Sequence, residues 1–194
     1  MLSRRTFIKS ALATNVAVLA TPSHALQLVL NSNNERPLLV FADSSALNST
    51  NFISTVKDQS ASIELDIGQH FELLSKFCKE SPNGQITGLT RDSDFFVLEQ
   101  VAKDFGFFPK YSAIHTYDGN VLTHEVTANK KSADVISSSL ANAKEDWPTW
   151  LADNMLMLPR KASEMVTTKR QLTVSNAKQH NYLVSWSLSA SEKI

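Results

Sequence analysis

The spacing of apolar residues changes several times along this chain, and each change marks an element. Residues 37–42 are a continuous apolar run ending in Asp43, Ser44 and Ser45, the pattern of a strand buried on both faces with a loop at its carboxyl end. Residues 51–58 suit a short helix and 68–79 an amphipathic one, with Ile67, Phe71, Leu74, Phe77 and Cys78 along one stripe and Pro82, Asn83 and Gly84 to stop it. A second strand spans 85–89. Between Asp94 and Phe105 the positions Val97, Leu98, Val101, Ala102 and Phe105 recur every three or four residues, which spells a helix; Asp92 or Ser93 can cap its start and Gly106 can end it.

Beyond Pro109, residues 110–117 and 121–127 read as two strands joined at the turn signal Asp118 and Gly119. A turn centred there pairs Tyr117 with Asn120. It puts Tyr111, Ala113, His115 and Tyr117 on the face that also carries Leu122, His124 and Val126, with the two histidines as diagonal neighbours. Two helices follow, over 132–143 and 146–158, the second with Trp147, Leu151, Met155 and Leu158 on one side. Near the end, Tyr182, Val184, Trp186 and Leu188 alternate with Leu183, Ser185, Ser187 and Ser189, which predicts a half-buried strand with one solvated face. A strand, a crossover helix and a strand in so few residues favour parallel pairing, while the hairpin adds antiparallel members. The expected fold is therefore α/β: a mixed sheet with a parallel βαβ core, an antiparallel hairpin, a C-terminal strand and flanking helices, with α+β as the alternative.

Ahead of these elements stand Ser3, Arg4, Arg5, Thr6, Phe7, Ile8 and Lys9, followed by an alanine-rich apolar stretch over 11–20. These residues resemble the twin-arginine export signal, S/T-R-R-x-F-L-K, with Ile8 in place of leucine. The resemblance implies transport across the bacterial inner membrane in the folded state, to the periplasm, with the Tat translocase and a signal peptidase as partners during export. A charged start, an apolar middle and the small residues Ser23 and Ala25 have the layout of a removable leader, so cleavage is expected after Ala25. Thr14 and Asn15 interrupt the apolar stretch, which is far short of the roughly 20 apolar residues that span a bilayer. The expected organisation is a leader at 1–25 and a single domain at 26–194.

Removing the leader takes Arg4, Arg5 and Lys9 and no acid, leaving 16 bases against 19 acids over 169 residues. That length suits one domain with a sizeable core, and the mild acidity gives no electrostatic footprint for nucleic acid. Cys78 is the lone cysteine. It cannot form an intrachain disulfide, a four-thiolate iron–sulfur site or a cysteine-rich zinc site, and its place on a helical stripe suits a buried small hydrophobe. No haem or dinucleotide motif is present, and Cys78 lacks the following histidine and methionine of a blue-copper site.

Three places offer chemistry. The loops after the two parallel strands carry Asp43 and Ser44, and Thr90, Arg91, Asp92 and Ser93; ligands gather at such strand ends, and Arg91 beside a helix start would suit a small anion. The other reading makes Asp92 or Ser93 a helix cap and Arg91 a solvated surface residue. On the hairpin, His115 and His124 with Asp118 near the tip could hold one divalent metal or act as a protonation pair, or be structural histidines with satisfied nitrogens. Ser44 and Ser45 follow a strand but lack the Gly-x-Ser-x-Gly elbow of α/β hydrolases. Two functional expectations result. One is a non-catalytic periplasmic accessory or small-anion-binding module, with a periplasmic or membrane-bound partner subunit. The other is a small metal-dependent or hydrolytic enzyme built on His115 and His124.

Overall fold

The computed structural model describes residues 30–31, 37–46, 48–60, 67–160, 164–175 and 181–190. The leader, with its arginine pair and the cleavage site at Ala25, lies outside the described residues. In chain order the elements are β1 (Leu30–Asn31), β2 (Pro37–Ala42), α1 (Ser49–Ser60), α2 (Ile67–Glu80), β3 (Gln85–Thr90), α3 (Asp92–Asp104) and β4 (Phe107–Asp118). They continue with β5 (Val121–Asn129), α4 (Lys130–Ala143), α5 (Trp147–Asn154), β6 (Met165–Thr173) and β7 (Asn181–Ala190), with single 3-10 turns at Lys144–Asp146 and Met155–Met157. Among the described residues no helix is long and apolar enough to cross a membrane.

The strands form one sheet in the order β1-β2-β3-β7-β4-β5-β6. β2 and β3 are parallel and every other neighbouring pair is antiparallel, so the architecture is the mixed α/β sheet with a parallel βαβ core that the pattern predicts. Helices cover both faces. On one, α1, α4 and α5 bury Phe52, Val56, Ile136, Leu140, Trp147 and Leu151 against Leu38, Val40, Tyr111, Tyr117, Leu122 and Val126. On the other, α2 and α3 bury Leu74, Phe77, Cys78, Leu98 and Ala102 against Leu39, Phe41, Ile86, Trp186 and Leu188. Cys78 is buried as its stripe implies, and burial pushes its thiol up to about 12.

Local chemistry sets the element ends. Gly106, at φ +81°, ends α3 by donating its N–H to the Lys103 carbonyl, while the Asn129 side chain caps α4 by accepting from the Ser132 N–H at 3.1 Å. Neither Asp92 nor Ser93 caps α3. The residue at the cap position is Arg91, whose side chain makes no capping bond, and Asp92 is already inside the helix.

Tertiary context changes further expectations and adds two strands. The hairpin loop is Gly119–Asn120, because Asp118 pairs with Val121; Gly119 takes φ +59° as the first loop residue, which suits a type II′ turn. Moving a two-residue turn by one position changes the register by two, so the predicted faces survive while the diagonal histidines become directly opposed. β7 is not half-solvated: it runs between β3 and β4, and Ser185, Ser187 and Ser189 are buried under the helices. The pattern shows neither β6, which carries no strong apolar signal and is held by its ladder to β5, nor β1, which pairs with β2.

Candidate functional site

β4 and β5 present His115 and His124 side by side to the underside of α5. Their Nδ1 atoms are 2.7 Å apart, and His115 Nε2 lies 2.7 Å from Ser185 Oγ, which is itself 2.7 Å from the Tyr111 hydroxyl. Trp147 lies flat on the His115 ring at 3.9 Å between centroids, and its Nε1 donates to the Tyr117 hydroxyl at 3.1 Å. His115 is 1% exposed and His124 0%. Burial holds His115 well below the ordinary imidazole range, with the neighbouring His124 adding to the effect, and burial brings His124 down to about 4. Burial likewise raises the Tyr111 phenol, partly offset by its bond to Ser185.

Neutral imidazoles carry one N–H each, so the bond directions can be counted. If His115 Nδ1 donates to His124 Nδ1, then His115 Nε2 accepts the Ser185 hydroxyl, and Ser185 Oγ accepts the Tyr111 hydroxyl. That arrangement leaves one buried group without a partner, the His124 Nε2–H. The reverse direction would leave both a bare His124 nitrogen and the Tyr111 proton unpaired, so the first arrangement is favoured. The result is a one-way chain, Tyr111 to Ser185 to His115 to His124. A serine hydroxyl aimed at an imidazole that is oriented by a third group is the geometry of nucleophilic catalysis, here closed off from solvent by Trp147.

The predicted metal set does not converge. Asp118 is exposed at the hairpin end, one residue beyond Tyr117 and therefore on the opposite face of the sheet from the histidines. Among the described residues no group of three His, Cys, Asp or Glu side chains is placed to hold a metal ion.

The strand-end loops do come together, because parallel pairing sets Ala42 beside Leu89 and the Asp43 N–H donates to the Leu89 carbonyl. There Arg91 Nε is 2.8 Å from Asp43 Oδ2, a charge contact whose N–H is not well aligned, and Arg91 Nη2 donates to Ser45 Oγ at 2.7 Å. Ser45 in turn gives both its N–H and its hydroxyl to Asp43 Oδ1, at 2.9 and 2.6 Å. Thr90 Oγ1 accepts from Trp186 Nε1 at 3.0 Å, while Ser93 reaches Asp94. Burial, then the charge of Asp43, raises the Asp94 carboxyl. The guanidinium expected to clamp an anion is thus engaged, in a corner it shares with the carboxylates of Asp43 and Asp94. Ser44 lies in the same loop, exposed.

Sequence reasoning found the histidines and missed what they touch. A second polar seam continues along β7: Gln85 Nε2 donates to Ser187 Oγ at 2.9 Å and to the Met155 carbonyl at 3.0 Å, Arg160 Nε donates to Gln85 Oε1 at 2.8 Å, and Ser189 Oγ donates to the Arg160 carbonyl at 3.0 Å. The available signal was that the supposedly solvated face of β7 carries three serines and no charge, whereas a wet face usually bears Lys, Glu or Asp. No family model matches the chain, and neither a curated protein nor a solved structure shows significant similarity to it.

Proposed function

We propose that the protein is a non-catalytic module of the bacterial periplasm, delivered folded by the twin-arginine route and serving there as an accessory subunit of a partner. The observation that carries this reading is that the candidate groups with chemical capacity are already spoken for: His115 and His124 lie inside the core, and Arg91 is held by Asp43 and Ser45. That engagement, with the Asp43 and Asp94 carboxylates beside the guanidinium, favours the partner branch over the small-anion branch. Phe71 on α2 and Phe96 on α3 are 55% and 61% exposed, apolar surface of the kind a partner covers. The leader from Ser3 to Lys9 supports the address. The test is expression of the full chain with a C-terminal tag in a bacterium with a working Tat system. Arg4→Lys with Arg5→Lys should abolish delivery and trimming, and capture of the wild-type chain from periplasm should return a stoichiometric partner. Unchanged delivery of the double variant, or capture of the bait alone, overturns the reading.

The geometry of Ser185, His115 and His124 favours one alternative, a hydrolase whose nucleophile is Ser185 and which opens by lifting Trp147. It predicts covalent labelling of the folded protein by a fluorophosphonate, lost in Ser185→Ala. An unlabelled protein excludes it.

A further inference from the structure

β6 ends the sheet, and among the described residues nothing pairs with its outer edge. It is nine residues long, keeps unbroken register with β5, and contains neither proline nor glycine. Natural sheets blunt such edges by shortness, bulges, proline or unanswered charge. At the other end of the sheet the described part of β1 is two residues long. β6 blunts its edge only through Lys169, which lies across from Glu125 in the ladder without an ion pair, while its Arg170 lies 2.6 Å from Asp134 of α4 and is answered within the chain.

We propose that β6 pairs antiparallel with β6 of a second copy about a two-fold axis at Thr167, joining the two sheets into one. The register follows from charge and parity. Directly opposed residues share a face, so the axis must pass through a residue and not between two. An axis at Lys169 or Arg170 sets like charges against each other. Of the positions along β6, Thr167 alone brings unlike charges together: Arg170 falls opposite Glu164 of the other copy, twice by symmetry, while Lys169 faces Met165. Asp134 marks the flank of α4 that leans toward β6, and Ser138 and Ala141, four and seven residues on, keep that flank small.

The purified protein alone decides the matter, so its outcome is separate from that of the accessory reading. Light scattering on a sizing column should give twice the 21.5 kDa chain mass, less the leader where it has been removed. Thr167→Cys should cross-link on mild oxidation, with buried Cys78 as the only other thiol. Gln171→Cys should not, because its copies would stand roughly 27 Å apart at the strand rise of about 3.4 Å per residue. Glu164→Arg should weaken the dimer at least about tenfold by facing Arg170 with its own charge, and adding Arg170→Glu should restore it. A monomer at all concentrations, a dimer untouched by Glu164→Arg, or cross-linking at Gln171 in place of Thr167 overturns the proposal.

Discussion

At Gly88 the backbone of β3 runs so close to its neighbours that an added Cβ would stand 2.6 Å from the Phe41 carbonyl and 2.7 Å from the Trp186 ring. Neither can retreat, since Trp186 is buried and stacked near Phe41 and Phe95. Gly88→Ala should therefore lower stability by about 2–3 kcal/mol, the usual cost of overpacking, read as a shift in the urea midpoint. The histidines govern the response to acid. His124 has an ordinary pKa of 6.5 and is held at about 4 in the folded protein, so the unfolded chain binds the proton first as pH falls. Stability is fully present above about pH 6.5 and declines toward pH 4, by about 3 kcal/mol for His124 alone at 1.36 kcal/mol per unit. Urea midpoints measured across that range should show the decline, and a His115→Gln, His124→Gln double variant should show much less of it. The groups around the pair are Tyr111, Ser185 and Trp147, with Arg170 directly across from His124 on β6.

Among the elements, the β4–β5 hairpin makes the strictest demand on the chain. Its two-residue loop decides which side chains face α5, and Gly119 at φ +59° permits it. Gly119→Ala should cost about 1–2 kcal/mol for the left-handed conformation, seen in the same urea assay. Inserting one residue into the loop is more severe, because it shifts the parity of β5 and turns His124 and Val126 outward. The expected outcome is loss of a cooperative melt, checked by near-ultraviolet circular dichroism. Helix positions were legible because α2, α3, α4 and α5 each carry a 3.6-residue stripe. β6 was not, since Met165, Thr167, Lys169, Gln171 and Thr173 alternate with residues hardly more apolar, and a strand paired on one side needs no strong pattern of its own.

Across the domain, the last described strand holds the sheet together. Among the described strands, β7 alone pairs with both β1-β2-β3 and β4-β5-β6, along Gln85 to Thr90 on one side and Phe107 to Tyr117 on the other. A chain shortened at Ser175 should therefore leave two half-sheets with exposed edges, joined through the helix layer over one face. Its thermal unfolding, followed by calorimetry, should lose the single transition of the intact protein. The same topology requires residues far apart in sequence to meet before the core closes, which is the arrangement that slows folding.

Apolar periodicity and turn residues were enough to write down the two parallel strands, the hairpin, the main helices and hence the mixed α/β sheet, because each element's pattern is local and a strand–helix–strand connection of this length pairs its strands in parallel. The shared face of His115 and His124 was also readable, since parity survives a shift of a two-residue turn. Their directly opposed positions, the bond to Ser185, the lid of Trp147 and the burial of the β7 serines were not. Each depends on β7 entering the sheet between β3 and β4 and on α5 crossing above it. Pairings across some seventy residues are settled by which surfaces fit once the chain has collapsed, and no local pattern encodes that choice.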